Sequence, residues 1–282
     1  MSQRVVVIGA VALGPKAACR FKRLEPDSKV TMVDQSELIS YGGCGIPYFV
    51  SGDVSDASQL QSTSFHMVRD AKFFHSVKDI DVLVNTRALS IDRNNQTVTV
   101  QNVLDRKEKT LPYDQLVLGT GSRPKRLPIP GADLKGVFTV SNLNEAMAIK
   151  QGLSKGEVEK AVVIGAGAIG LEMAEAFADL WGIETTVLEV ADQILPGTVS
   201  PNMARMAQCH LEENDVSVRL SEMVQALQGT DRVKKVVTDK GTLDADMVIM
   251  AVGVSPNSDL AKAAGLEVSA KGAIVVNERM QT

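Results

Sequence analysis

Ala161-Val162-Val163-Ile164-Gly165-Ala166-Gly167-Ala168-Ile169-Gly170 decides the fold of this chain. The largely β-branched run at its start predicts a buried strand, and the glycines after it predict a tight turn. Leu171 to Trp181 then suits a helix, and Thr186-Val187-Leu188-Glu189 is a second apolar run closed by an acid. The plan is already present at the N-terminus. There Arg4-Val5-Val6-Val7-Ile8-Gly9-Ala10-Val11-Ala12-Leu13-Gly14 leads into a helical stretch from Pro15 to Leu24, and Val30-Thr31-Met32-Val33-Asp34 ends in an acid. Strand, helix and strand in this order make a βαβ unit, here written twice.

Working outward, alternating strands and helices predict an α/β protein with parallel, doubly wound sheets. Asp92-Arg93-Asn94-Asn95 is a polar turn before Val98-Thr99-Val100, an expected antiparallel excursion. Met247 to Gly253 reads as a buried strand. Pro124 to Gly131 and Val254-Ser255-Pro256 read as two crossings between domains. The expected division is therefore a discontinuous first domain, 1–148 and 256–282, and a second domain, 149–255.

Composition narrows the classes. Of 282 residues 44% are apolar, enough for a full core, and the net charge of −4 points to neither a nucleic-acid nor an anionic-membrane partner. No apolar run of about 18 residues predicts a membrane span. The start passes directly into a strand without a secretory leader, so a cytoplasmic location is expected. Cys19, Cys44 and Cys209 are odd in number and far apart, which is no disulfide framework. His66, His75 and His210 lack metal-ligand spacing, so no protein-built metal site is expected.

A glycine turn between strand and helix aims backbone N–H groups at a pyrophosphate, and the acid ending the next strand accepts from a ribose hydroxyl. Gly9, Gly14 and Asp34 take these roles in the first unit, with Val11 where the middle glycine of the fingerprint would stand. Gly165, Gly167 and Gly170 complete the full G-x-G-x-x-G in the second, and Glu189 follows about 24 residues beyond Gly165. A carboxylate at that point favours a free 2′-hydroxyl and repels a 2′-phosphate. No arginine stands in Val190-Ala191-Asp192, so NADH is expected over NADPH.

Ile39-Ser40-Tyr41-Gly42-Gly43-Cys44-Gly45-Ile46-Pro47-Tyr48-Phe49 surrounds one thiol with glycines, which allow close approach of other groups. Pro47 suits the first turn of a helix, so Cys44 is expected near a helix N-terminus, which favours a thiolate. Tyr41 and Tyr48 flank the thiol, and Tyr48 is expected in the core.

Together these motifs resemble the pyridine nucleotide-disulfide oxidoreductases, in the branch holding coenzyme A-disulfide reductases, NADH oxidases and persulfide reductases. The match runs over essentially the whole chain. It rests on Ser40 to Tyr48, on Leu118-Gly119-Thr120-Gly121-Ser122-Arg123-Pro124, and on Ala251 to Pro256. The resemblance implies two Rossmann-like domains, one for FAD and one for NAD(P)H. For FAD it implies contacts at Gly9, Ala10, Val11, Gly14, Asp34 and Gln35, with Gly43, Ala88, Thr120, Gly121 and Arg123. For NAD it implies Gly165, Gly167, Ala168, Ile169, Gly170, Glu189 and Gly253.

The same branch tolerates a non-glycine residue in the middle of the first fingerprint, as at Val11. Phe49 stands where two-cysteine relatives carry a second thiol, so the redox partner of Cys44 must lie outside the chain or be an oxidised form of Cys44 itself. The resemblance also places Lys16, Arg20, Arg23, Ser40 and Lys72 along a coenzyme A channel. It implies NADH-dependent reduction of coenzyme A disulfide, a persulfide or polysulfide. The alternatives are an NADH oxidase or peroxidase cycling Cys44 through sulfenic acid, and a non-catalytic dinucleotide-binding fragment.

The chain ends at Asn277-Glu278-Arg279-Met280-Gln281-Thr282, where the family continues into a second FAD motif and a dimerisation domain. The expectations are a C-terminal dimerisation domain absent here, weak FAD retention, low turnover alone, exposed apolar edges, and a homodimer for the full-length form.

Overall fold

The computed structural model describes residues 2–282. Strand β1 (Arg4–Ile8) runs into helix α1 (Leu13–Leu24) and strand β2 (Lys29–Val33), closing the first βαβ unit. A 3-10 turn at Gly43–Gly45 precedes the short helix α2 (Ile46–Ser51), and α3 (Ala57–Gln61), α4 (Ala71–Lys78) and β3 (Asp81–Leu83) follow. Next come β4 (Thr86–Asp92), β5 (Thr97–Asn102), β6 (Glu108–Pro112), β7 (Gln115–Leu118) and β8 (Ser122–Pro124). Then β9 (Val137–Phe138) and α5 (Leu143–Ser154) lead to the second βαβ unit: β10 (Lys160–Ile164), α6 (Ala168–Ala178) and β11 (Glu184–Leu188). The chain continues through α7 (Pro201–Glu213), β12 (Val216–Arg219), β13 (Val224–Gly229), β14 (Val233–Thr238), β15 (Thr242–Asp244), β16 (Met247–Met250), β17 (Val254–Pro256) and α8 (Asp259–Ala263).

Two compact units result. The first holds Met1–Gly43, Ser58–Arg123 and Ser255–Thr282, and the second holds Cys44–Ala57 and Pro124–Val254. In the first, a parallel sheet of order β3-β2-β1-β7 accompanies an antiparallel sheet β4-β5-β6. In the second, a parallel sheet of order β12-β11-β10-β16-β9 accompanies the antiparallel β13-β14-β15. The fold is therefore α/β with two Rossmann-like parallel sheets, and the strand expected at Val98–Val100 lies in an antiparallel excursion.

The period of two along each first strand divides the core. Val5 and Val7 pack with Ala18, Phe74 and Ile80 on the helix side. Val6 and Ile8 pack with Val98, Val100 and Leu111 on the other face. In the second unit Val162 and Ile164 meet Leu188, Val224, Leu227 and Val233. Each such fully buried valine or isoleucine contributes about 1.5–3 kcal/mol. A strand buried on both faces needs the unbroken apolar run that the sequence shows.

The unit boundaries at Arg123/Pro124 and Val254/Ser255 fall at the two crossings read from the sequence. The expected limits at 148/149 and 255/256 differ from the packing. Residues 124–148 and the segment Cys44–Ala57 belong to the second compact unit. Ile46, Pro47, Phe49 and Val50 of α2 are buried, and α2 packs on α5 and α6. Among the described residues no helix is long and apolar enough to cross a membrane.

Candidate functional site

The glycine turn of the second unit is held by an acid. Gly165 N donates to Leu188 O at 2.8 Å. Ala166 N donates to Oε2 of Glu189 at 2.7 Å, and Ala191 N donates to its Oε1 at 2.9 Å. The buried Glu189 carboxylate thus ties the turn to its own loop, and each oxygen keeps a lone pair for a ribose hydroxyl. Gly165 has φ +103°, and a Cβ there would lie 2.6 Å from Ala251 O. A Cβ on Gly170 would collide with the Gly165 carbonyl oxygen.

Gly167 is different. Its backbone is extended, with φ −78°, and a Cβ on it would meet nothing within 4 Å. The protein itself therefore does not require a glycine at 167, whereas a pyrophosphate lying over the start of α6 would. That helix has no side-chain cap, so its first N–H groups remain for an anion. By contrast α4 and α5 are capped by the side chains of Asp70 and Asn142. Ala168 and Ile169 form the first turn of α6, and Gly253, at φ +93°, is exposed in the same unit.

The first unit repeats the arrangement bond for bond. Gly9 N donates to Val33 O at 2.8 Å, and Gly119 N donates to Ile8 O at 2.7 Å. Ala10 N donates to Oδ2 of Asp34 at 2.7 Å, and Ser36 N donates to its Oδ1 at 2.9 Å. A Cβ on Gly14 would strike the Gly9 carbonyl oxygen. Helix α1 also lacks a side-chain cap, and Val11 is half-buried two residues before it begins.

One groove of the first unit, about 660 Å³, brings together Gly9, Asp34, Gln35, Ala88, Thr120 and Arg123. The sequence reading missed Arg87, Asn257 and Asp259, which line it as well. Thr120 Oγ1 donates to Asn257 O at 2.6 Å, and Asn257 Nδ2 donates back to Thr120 O at 3.0 Å. Gly121 O accepts from Asn257 N at 3.0 Å. Arg123 Nη1 pairs with Asp259 at 3.0 Å, and Arg87 Nε donates to Oε1 of Gln35 at 2.9 Å. Asn257 follows directly on the second crossing, which was the available signal, but pairing it with Thr120 spans 137 positions.

Cys44 is exposed in the 3-10 turn ahead of α2, while Cys19 and Cys209 are partly buried, and all three are free thiols. A Cβ on Gly43 meets nothing within 4 Å, so the turn before the thiol is not closed over by other chain atoms at that point. Burial pushes the Cys19 thiol up, which lowers its thiolate fraction. Tyr48 is 60% exposed and not a core residue. It follows the buried Pro47 on α2 and faces outward from the packed side.

Among the expected substrate residues, Lys16, Arg20 and Arg23 are exposed on α1 and Lys72 on α4. Ser40 is buried, at φ +52°, and its N–H donates to Ala10 O at 2.7 Å, so it braces the first glycine turn.

Comparison with known proteins agrees with this geometry. The profile of the family described as pyridine nucleotide-disulphide oxidoreductase matches residues 3–282. The NAD(P)H sulfur oxidoreductase (CoA-dependent) of Pyrococcus abyssi is 37% identical over 282 residues, 100% of this chain and 60% of its own length. The NADH oxidase of Methanocaldococcus jannaschii is 36% identical over 279 residues, 99% of this chain and 60% of its own. The solved NAD-dependent persulfide reductase from A. fulgidus superposes with a TM-score of 0.94 at 42% identity, covering 98% of this chain and 51% of that one. The chain thus spans about 60% of the length of the curated relatives it matches.

Proposed function

The chain belongs to the pyridine nucleotide-disulphide oxidoreductase family, and on that premise we propose that it is the dinucleotide-binding part of an FAD-dependent NAD(P)H oxidoreductase reducing coenzyme A disulfide, a persulfide or polysulfide through Cys44. The observation that carries this is one exposed thiol in an open glycine turn, with no second cysteine beside it, in a chain that builds the same acid-clamped glycine turn twice.

Bound FAD and NADH would supply the hydride and electron transfer. In the first unit the N–H groups of Gly9 and Ala10 hold the turn to Val33 and Asp34, so Val11 and Gly14 would present theirs to the FAD pyrophosphate passing over Gly9 and Ala10, and Asp34 would accept from its ribose. In the second unit the Gly165 N–H is taken by Leu188 O, so the bare Cα of Gly167 and the first N–H groups of α6, at Ala168, Ile169 and Gly170, would meet the NADH pyrophosphate, with Glu189 on the ribose and against a 2′-phosphate. The chain's own step is thiol exchange. The Cys44 thiolate attacks one sulfur of R–S–S–R, a Cys44–S–S–R bond forms, the substrate bond breaks, and RS⁻ leaves to take up a proton. Releasing the second thiol and restoring the Cys44 thiolate takes two electrons and one proton, which bound NADH and FAD would supply. Exposed Lys16, Arg20, Arg23 and Lys72 would pair with coenzyme A phosphates. The whole protein reads as a cytoplasmic homodimer, which light scattering of the full-length form would check.

Titration with FAD, then NADH, followed by visible absorption tests the reading. The expected result is saturable flavin binding, bleaching on NADH, and NADH consumption with coenzyme A disulfide. No flavin binding at any FAD concentration would remove the cofactor assignment. Consumption with peroxide but not disulfide would favour the second reading, an NADH oxidase or peroxidase, which the solvent exposure of Cys44 also permits.

A further inference from the structure

The far end of the thiol-bearing segment is fastened by two side chains that the redox reading does not use. Cys44 stands two residues before α2, and a helix leaves its last carbonyls without partners inside itself. Trp181 Nε1 donates to Val50 O at 2.7 Å. Lys150, on α5, donates from Nζ to Val54 O at 2.9 Å and Ser55 O at 3.2 Å. Its ammonium also stands 4.1 Å from the centroid of the Phe49 ring. Partial burial lowers the Lys150 pKa, and the two carbonyls and the ring offset that desolvation. The residue that ends α2, Gly52, has φ +109°, and a Cβ there would strike a Leu180 methyl, so the turn fits closely beside Trp181. All these residues lie in the second compact unit together with Cys44.

We propose that Trp181 and Lys150 are positioning residues for Cys44. Trp181 holds the Val50 carbonyl in the last turn of α2, and Lys150 holds the Phe49 ring and the Val54 and Ser55 carbonyls just beyond it, so together they fix the short helix whose other end presents the thiol, about 9 Å away along the axis. Because Trp181 is the protein's single tryptophan, its emission then reports the state of Cys44. The proposal rests on Cys44 being the redox thiol.

Methyl methanethiosulfonate tests the link. It converts the Cys44 thiol to Cys44–S–S–CH₃ and releases methanesulfinic acid, adding no chromophore. The expected result is a change in Trp181 emission that Cys44→Ser lacks. Iodoacetamide labelling, read peptide by peptide, gives the rate at Cys44 relative to Cys19. In Trp181→Phe and in Lys150→Met that ratio should fall about fivefold, the weight of one net hydrogen bond. Lys150→Arg, which keeps the cation and its donors, should restore it to within about twofold. Emission indifferent to the reagent, or an unchanged ratio in Trp181→Phe, overturns the proposal. Neither readout needs FAD or NADH. A chain that passes both yet reduces no disulfide keeps the clamp and loses the redox reading, and the reverse result does the opposite.

Discussion

Gly167 and Gly170 stand three residues apart and are glycine for different reasons. At 170 the backbone of Gly165 occupies the place of a Cβ, whereas at 167 that place is empty. Gly170→Ala should therefore lower stability by about 1–3 kcal/mol, the usual cost of overpacking, seen as an earlier urea midpoint. Gly167→Ala should leave that midpoint nearly unchanged yet weaken NADH binding at least tenfold, about 1.4 kcal/mol. Equal loss of stability in both variants would mean that Gly167 serves the fold and not a ligand. Cys44→Ser belongs to the same scale. In the full-length protein it should abolish disulfide reduction while NADH-to-dye electron transfer continues, because the dinucleotide turns do not involve the sulfur.

At the scale of elements, an acid at the end of one strand organises the turn that ends its neighbour. Asp34 at the end of β2 and Glu189 at the end of β11 each take two backbone N–H groups. Glu189→Ala leaves the Ala166 and Ala191 amides without this acceptor. Hydrogen bonds to a charged group are worth about 1.5–3 kcal/mol each, so a loss of a few kcal/mol in urea unfolding should accompany weaker NADH binding.

A surface pair ties β1 to the turn before β7. Arg4 Nη2 meets Asp114 at 2.6 Å, and Arg4 N donates to the same carboxylate. The Arg4 side chain, and then its backbone N–H, hold the Asp114 carboxyl down to about 2. A depressed carboxyl stabilises the fold above its ordinary value of 3.8 and loses that contribution as pH falls towards about 2. Asp114→Asn should therefore lower the urea midpoint at neutral pH and flatten its decline between those values. An identical acid limb in both proteins would remove Arg4–Asp114 from the account.

For the molecule as a whole, two turns of one design lie in different compact units, so lesions in them should act separately. Gly167→Ala should leave FAD affinity within about twofold, and in the double variant with Asp34→Ala the loss of affinity for each coenzyme should match that of the single variant to within about 0.5 kcal/mol. Strong non-additivity would show that the units communicate. Both glycine turns, their acids, the antiparallel excursion and the two crossings at Pro124 and Val254–Pro256 were legible in the chain, because each depends on neighbours within a few residues. Local patterns along the chain specify two βαβ units and the thiol of Cys44 set alone among glycines. Long-range packing is what sets α2 in the second unit, brings Asn257 and Asp259 into the groove of the first, and makes Ser40 a buried brace. The reason is physical: periodicity and turn chemistry act along the chain, whereas the burial of one helix against two others, and a hydrogen bond across 137 positions, exist only once distant segments have met.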